Sequence, residues 1–286
     1  MKNYFILSVL FLMLANEANS QCPPTVLSPT TPYGTTNFPN KKPVPYVYIR
    51  EADVMWSKTI WRVIDVREKM NLPLYYPLEP DKDCRKSLFD VLKAELFLGN
   101  ITAYGKPLLD DEFNFPMSIS EVELLIKTND TIFTPSIENP DELIATVVPM
   151  EINSEKIKRW WLKEVWFFDK QRSVMDVRII GICPLIEKSD KTTGEFRGYE
   201  PLFWMYYPEC RNVLAKAPVL MLVANTSGKI SYDELFAKRI FESTIYKESN
   251  VYDRLVIEYT QGIGVLLESD AIKEEIFLME HDLWHF

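Results

Sequence analysis

The chain has 286 residues, 47% of them hydrophobic, with 41 Asp and Glu against 32 Lys and Arg and only 9 glycines. This composition excludes a low-complexity or disordered chain. A net charge of −9 also argues against nucleic acid and anionic lipid as partners, since both demand a basic surface.

Residues 1–20 read as a secretory signal peptide. Lys2 precedes an apolar run from Tyr4 to Ala15, and Ala18 and Ser20 stand at the −3 and −1 positions of a cleavage between Ser20 and Gln21. The run is too short to span a bilayer, so an exported, soluble protein is expected. Gln21 stands where lipid attachment to Cys22 would want a small residue, which argues against a lipoprotein. From Cys22 to Pro45 the chain carries seven prolines among Thr, Ser and Asn. Residues 21–45 are therefore expected to form an extended arm, either a linker or a strap lying along a neighbouring subunit.

The folded domain is expected over residues 46–286. In "EADVMWSKTIWRVIDVREKM", Ala52, Met55, Trp56, Thr59, Val63, Val66 and Met70 fall on one helical stripe, and a first helix is expected there. "NLPLYYPLEP" breaks it with two X-Pro steps that favour extended backbone. "KSLFDVLKAELFLG" reads as a helix stopped by Gly99, and Ser120 as the cap of a short helix "EVELLIK". "IKRWWLKEVWFFD" and "SVMDVRIIGICPLIE" form a long hairpin, and "PLFWMYY" and the wholly apolar "APVLMLVA" read as further strands. Ser231 and Glu234 make a capping box for a helix through "LFAKRIFES". "RLVIEYT" reads as a last strand, and Ser269 as the cap of a C-terminal helix with the stripe Ile272, Ile276, Met279, Leu283 and Phe286. The pattern is α+β, with helices at both ends and a central antiparallel β-meander built on the hairpin.

Chemistry-bearing residues are sparse. His281 and His285, four apart in "EHDLWHF", could offer two imidazoles on one helical face, but no third histidine exists to complete a zinc site. They read as the polar face of a docking helix, with no metal and no cofactor. Asp110, Asp111 and Glu112 are adjacent acids of the kind usually solvated on a loop. No phosphate loop, nucleophile elbow or Cys-x-x-Cys pair is present, so no catalytic residue is assigned and the chain does not read as an enzyme. Four cysteines in an oxidising compartment allow three pairings, and Cys84 and Cys210, each in a "YYP"-linked context, are the candidate disulfide. Cys183 reads as a buried thiol on a strand face shared with Met175, Val177 and Ile179. Trp160 and Trp166 on one face of the hairpin, and Trp61 off the first stripe, are candidate interface residues, because aromatics concentrate at interface centres.

Five segments in order, "ADVMWSKTIWRVIDVREKMNLPLYYP", "SLFDVLKAEL", "LFWMYYPECRNVLAK", "ESNVYDR" and "AIKEEIFLMEHDLWHF", resemble the GldN/PorN family of gliding-motility and type IX secretion components of Bacteroidota. The resemblance implies a periplasmic structural subunit held at the outer membrane through a PorK/GldK-like lipoprotein. It implies self-association with that lipoprotein in a ring, and contact with the periplasmic domain of a PorM/GldM-like protein linked to a proton-driven motor. It carries over neither catalytic residues nor a disulfide. The rival expectation is a secreted glycan-binding protein using the "WW" and "YY" aromatics as sugar platforms.

Overall fold

The computed structural model describes residues 40–79, 85–135, 143–190, 195–219 and 230–282. Residues 54–65 are rich in β-branched and aromatic side chains, which suit a pleated, covered surface. They form strand β1 (Val54–Asp65) rather than the helix that the sequence stripe suggested. Met55 and Met70 of that stripe are exposed, while Ile60, Trp61, Arg62 and Ile64 are buried. Both faces of β1 are covered, so its apolar residues satisfy a helical and a strand period at once. Pairing with β5 on one side and β9 on the other decides between them.

Pro73 sits in the first turn of α1 (Leu72–Tyr75), where its missing N–H has no helical partner to lose; the extended backbone expected there starts only at Tyr76. Ser87 caps α2 (Leu88–Phe97) by accepting from Asp90 N, and Gly99 (φ 75°) supplies the left-handed stop. After β2 (Ala103–Tyr104) comes α3 (Ile119–Ile126), which Ser118 caps with Glu121 in a reciprocal box. Ser120, the expected cap, already lies in the first turn. Strands β3 (Lys127–Pro135) and β4 (Leu143–Glu151) pair as a separate two-stranded ribbon.

The expected long hairpin is present as β5 (Ile157–Asp169) and β6 (Val174–Ser189). Asp169 organises its turn by accepting from Gln171 N and Arg172 Nε. Then come β7 (Phe196–Pro201) and β8 (Trp204–Tyr206). The "PLFWMYY" strand is short because Pro208 launches helix α4 (Tyr207–Leu214). Most of "APVLMLVA" lies outside the described residues; at its start Val219 N donates to Ile230 O. The Ser231–Glu234 box opens α5 (Tyr232–Ala237) as the sequence indicated. Residues 244–248, unassigned from the sequence, form β9 (Thr244–Glu248). "RLVIEYT" is not a strand: it forms the short helix α6 (Val256–Tyr259). Helix α7 (Gly264–Asp282) begins five residues before Ser269.

The α+β class holds, with helices before and after a central antiparallel sheet. Its path runs β2-β8-β6-β5-β1-β9, and β7 extends β6 beyond the end of β5. On the front face Trp160, Leu162, Ile64 and Met205 join Leu88, Phe89 and Leu92 of α2 and Tyr232 and Phe236 of α5 in the main core. A smaller core packs Ile272 and Ile276 of α7 on Ile60, Ile245 and Val256. The back face is an aromatic layer built around Trp61, Trp204 and Cys183, with Trp161 and Tyr246 against it. In β6, Gly181 pairs with Lys163 and Ile179 with Glu164, so Ile180 is an extra residue in the ladder. That bulge reverses the alternation. Ile179 therefore joins the main core while Cys183 joins the back layer, and the shared face expected for the two does not exist.

Candidate interaction surface

A few charged groups of the described chain are buried: Arg62, Glu164, Asp169, Arg211 and Asp233. Arg62, Glu164 and Arg239 form a cluster on the front face of the sheet. Glu164, with no exposed surface, accepts from Arg62 Nε at 2.9 Å, from Arg239 at 2.9 and 3.2 Å, and from Trp166 Nε1 at 3.2 Å. Burial pushes the Arg62 guanidinium below its usual basicity, and Glu164 reverses only part of that. This is the arrangement that makes a buried charge tolerable: three donors meet Oε2 of the acid and one meets Oε1. Asp65 is similarly engaged. Burial alone would raise its pKa, but hydrogen bonds from the Arg67 side chain and backbone and from Arg159 outweigh it and hold it at about 2.

The two described cysteines are free, buried thiols. Burial pushes both far above the ordinary thiol range, so neither has nucleophilic character. Cys210 is wholly buried on α4, with Sγ 3.4 Å from Tyr206 O. Cys210 does not lie in the expected solvent-near turn but is a buried thiol; Cys84, its expected partner, lies outside the described residues. So do Ser20, Gln21, His285 and the stripe residues Leu283 and Phe286. His281 is exposed, with Nδ1 3.7 Å from Asp282 Oδ1. Among the described residues no three His, Cys, Asp or Glu side chains gather to hold a metal, and no helix is long and apolar enough to cross a membrane.

The tryptophans singled out from the sequence are used internally. Trp160 is 1% exposed and lies in the main core. Trp61 is buried in the back layer, its ring flanked by the Lys247 and Lys163 ammonium groups at 4.7 and 5.5 Å from the centroid. Trp166 is half-buried between the small core and the Glu164 cluster, with Arg239 5.2 Å from its ring. Of the "WW" and "YY" aromatics, Trp161 stacks on Tyr246 at 5.1 Å, Tyr207 is buried, and Tyr76, edge to face with Tyr75, is exposed. The back layer is closed by Phe113, whose ring lies where a Cβ on Gly181 would come within 2.7 Å. Lys163 holds the same loop by donating to Asp111 O at 2.8 Å.

The last described residues of the expected arm lie on their own domain. Lys41 pairs with Glu234 at 2.7 Å, and Arg211 donates to Val44 O at 2.7 Å. The Tyr46 ring lies under two guanidinium groups, those of Arg211 at 4.1 Å and Arg178 at 5.0 Å. Burial pulls Arg211 down, but the hydrogen bond and charge of Asp233 more than compensate, so the clamp stays charged. Residues 21–39 lie outside the described chain.

The surface also exposes large aliphatic and aromatic side chains. Beside β9, the turn and helix α6 expose Val251, Tyr252 and Ile257, Val251 to 97%. Helix α7 buries Ile272 and Ile276 and seals the β9 edge, where Ser269 Oγ accepts from Ile245 N at 2.8 Å. Its remaining turns expose Ile263, Leu266, Leu267, Phe277 and Leu278. At the other side of the sheet, Leu98, Leu108, Leu109, Phe115, Ile119 and Leu124 are exposed around α2, α3 and the loop before α3, Leu109 to 87%. Sequence reasoning missed both groups, because they are ordinary leucines and isoleucines whose exposure is set by tertiary packing alone. The one sequence signal available was that α7 carries apolar residues outside its buried stripe.

The molecule is thus an α+β domain that encloses a few charged groups and leaves large apolar side chains exposed on α6 and α7 and around α2 and α3, among other places. The family model of gliding motility associated protein GldN matches residues 49–285, nearly all of the described chain, and the chain belongs to this family. It is thus a gliding-motility-associated protein. No curated protein matches it.

Proposed function

We propose that this protein is a non-enzymatic structural subunit of the type IX secretion and gliding machinery, working in the periplasm. In this reading it assembles with a PorK/GldK-like outer-membrane lipoprotein and with further copies of itself into a ring. It also receives force from the periplasmic domain of a PorM/GldM-like protein. The observation that carries the reading is family membership across residues 49–285. Large apolar side chains standing in water on two sides of the domain support it, since exposed patches beyond a few hundred Å² mark binding surfaces. The two described cysteines are buried, free thiols, which fits a scaffold better than thiol chemistry.

The test is affinity purification of the tagged chain from its own cells after mild detergent extraction. Recovery with an outer-membrane lipoprotein in more than trace amount, together with loss of gliding or secretion on deletion, is the expected result. Recovery of the chain alone, with gliding and secretion intact in the deletion strain, would overturn it.

A further inference from the structure

Residues 41–48 lie on the domain without joining its core or its sheet. None of them is buried, and among the described residues none pairs in a strand. Val44, Val47 and Tyr48 are each more than half exposed. Pro43 and Pro45 have no N–H to give to a ladder, and they hold Lys42 and Val44 in extended backbone. Four grips fasten this segment. Lys41 pairs with Glu234, Arg211 donates to Val44 O and Arg178 donates to Val47 O. Between those two carbonyls the Tyr46 ring faces both guanidinium groups.

The receiving half is built without the segment. Arg211, on α4, has a side chain only 9% exposed, and Asp233 of α5 accepts from its Nε at 2.8 Å and its Nη2 at 3.2 Å. Arg178 belongs to β6, where it pairs with Val165, and its guanidinium lies 5.3 Å from the ring centroid of Phe167 on β5. Helix and sheet therefore hold the two arginines in place, and a single ring spans the gap between them. A segment with no buried side chain and no ladder, docked on a preformed site, opens at a far lower free energy than the domain unfolds. Its two prolines keep it extended when free, so little order is lost when it docks again.

We propose that residues 41–48 are a latch: the Tyr46 ring, caged by Arg178 and Arg211, straps the N-terminal arm to the domain and releases it without unfolding. The latch sets where the arm leaves the molecule. Closed, the arm departs from Lys41 beside Glu234 of α5. Open, its first fixed point is the turn Glu51–Asp53 ahead of β1, which the Arg50–Asp53 pair ties down. Nine residues of extended chain then give Lys41 a reach of about 30 Å from that turn. The inference goes beyond the structural-subunit reading and does not depend on it, since the latch acts within one chain.

The test is a spin-label distance measurement on the purified protein with Cys22 and Cys84 changed to Ser. Cys183 and Cys210 are buried and stay. Lys42→Cys and Lys238→Cys, both at exposed positions, carry nitroxides on the segment and one helical turn beyond Glu234. The closed latch gives one short, narrow distance. Tyr46→Ala should lose that peak in favour of a broad distribution at longer distances, with Tm within about 2 °C of the parent. Tyr46→Phe, which keeps the ring, should retain the peak. A short peak that survives Tyr46→Ala would overturn the proposal, and so would a broad distribution in the parent. Loss of the peak together with a fall in Tm beyond that margin would also overturn it, because the segment would then be part of the cooperative fold rather than a latch upon it.

Discussion

Changing Glu164 to Gln removes the one anion that two arginines share. The Arg62 side chain is 7% exposed and Glu164 fully enclosed, whereas Arg239 is 28% exposed. Gln keeps an acceptor oxygen but turns an N–H₂ donor toward groups that only donate. Arg239 can swing to water; Arg62 cannot. Stripping the partner from a buried charge costs about 3–5 kcal/mol. For a domain of this size that corresponds to a fall in Tm of about 10 °C. Arg239→Ala, which leaves the Arg62–Glu164 bond at 2.9 Å, should cost only about 1–2 kcal/mol. Replacing Arg62 and Glu164 together by Met should recover much of the loss, because an apolar pair of similar volume needs no partner. Urea and thermal denaturation of the purified protein, followed by tryptophan fluorescence and circular dichroism, measure all three. A Glu164→Gln variant within about 1 kcal/mol of the parent, less than the loss of a single hydrogen bond to a charged group, would refute the reasoning. So would a double Met variant no more stable than the single Gln one.

Three further outcomes follow from the same structure. Ile276→Asp places a charge in the small core and should lower Tm by about 10 °C or more, whereas Phe277→Ser, one residue on and exposed, should leave Tm within about 2 °C while weakening assembly. The Asp65 carboxyl, held at about 2 against an ordinary 3.8, contributes stability that is complete above pH 3.8 and drains away as pH falls toward 2; Asp65→Asn should therefore flatten the acid limb of the stability curve between those values, and an unchanged limb would mean the arginine contacts are not what hold it. Gly181→Val should expel the Phe113 ring, whose Cζ lies 2.7 Å from the new Cβ, and make the loop before α3 sensitive to protease without unfolding the sheet; an unaltered cleavage pattern would contradict the closure of the back layer by that ring.

Local signals were legible where one physical cause acted alone. Gly99 ended α2, the Ser231–Glu234 box opened α5, and the two long apolar runs paired as a hairpin. The reading failed where tertiary cover erased the periodic signal. Strand β1 carries apolar residues toward both faces and hides a buried arginine among them, so its pattern fits a helix as well as a strand. "RLVIEYT" has the composition of a strand, but its N-terminus is tied by Glu258 to Leu255 N, which starts a helical turn. The extra residue at Ile180 has no signature in sequence, and it decided on which face Cys183 lies. The exposed apolar surface was the least legible part. Trp61 and Trp160, chosen for their interface preference, are buried, Trp166 is half-buried, and plain leucines on α7 and near α3 are left outside.

The most direct measurement of the central claim is the native mass of the assembly that holds this chain. Gently solubilised envelope from its own cells would be resolved by size, and the chain followed by antibody. The account predicts that most of the chain runs in a very large assembly that also contains an outer-membrane lipoprotein, and that the assembly survives chelators. Recovery of the chain mainly as a free monomer, retained by a glycan column rather than by other proteins, would contradict it.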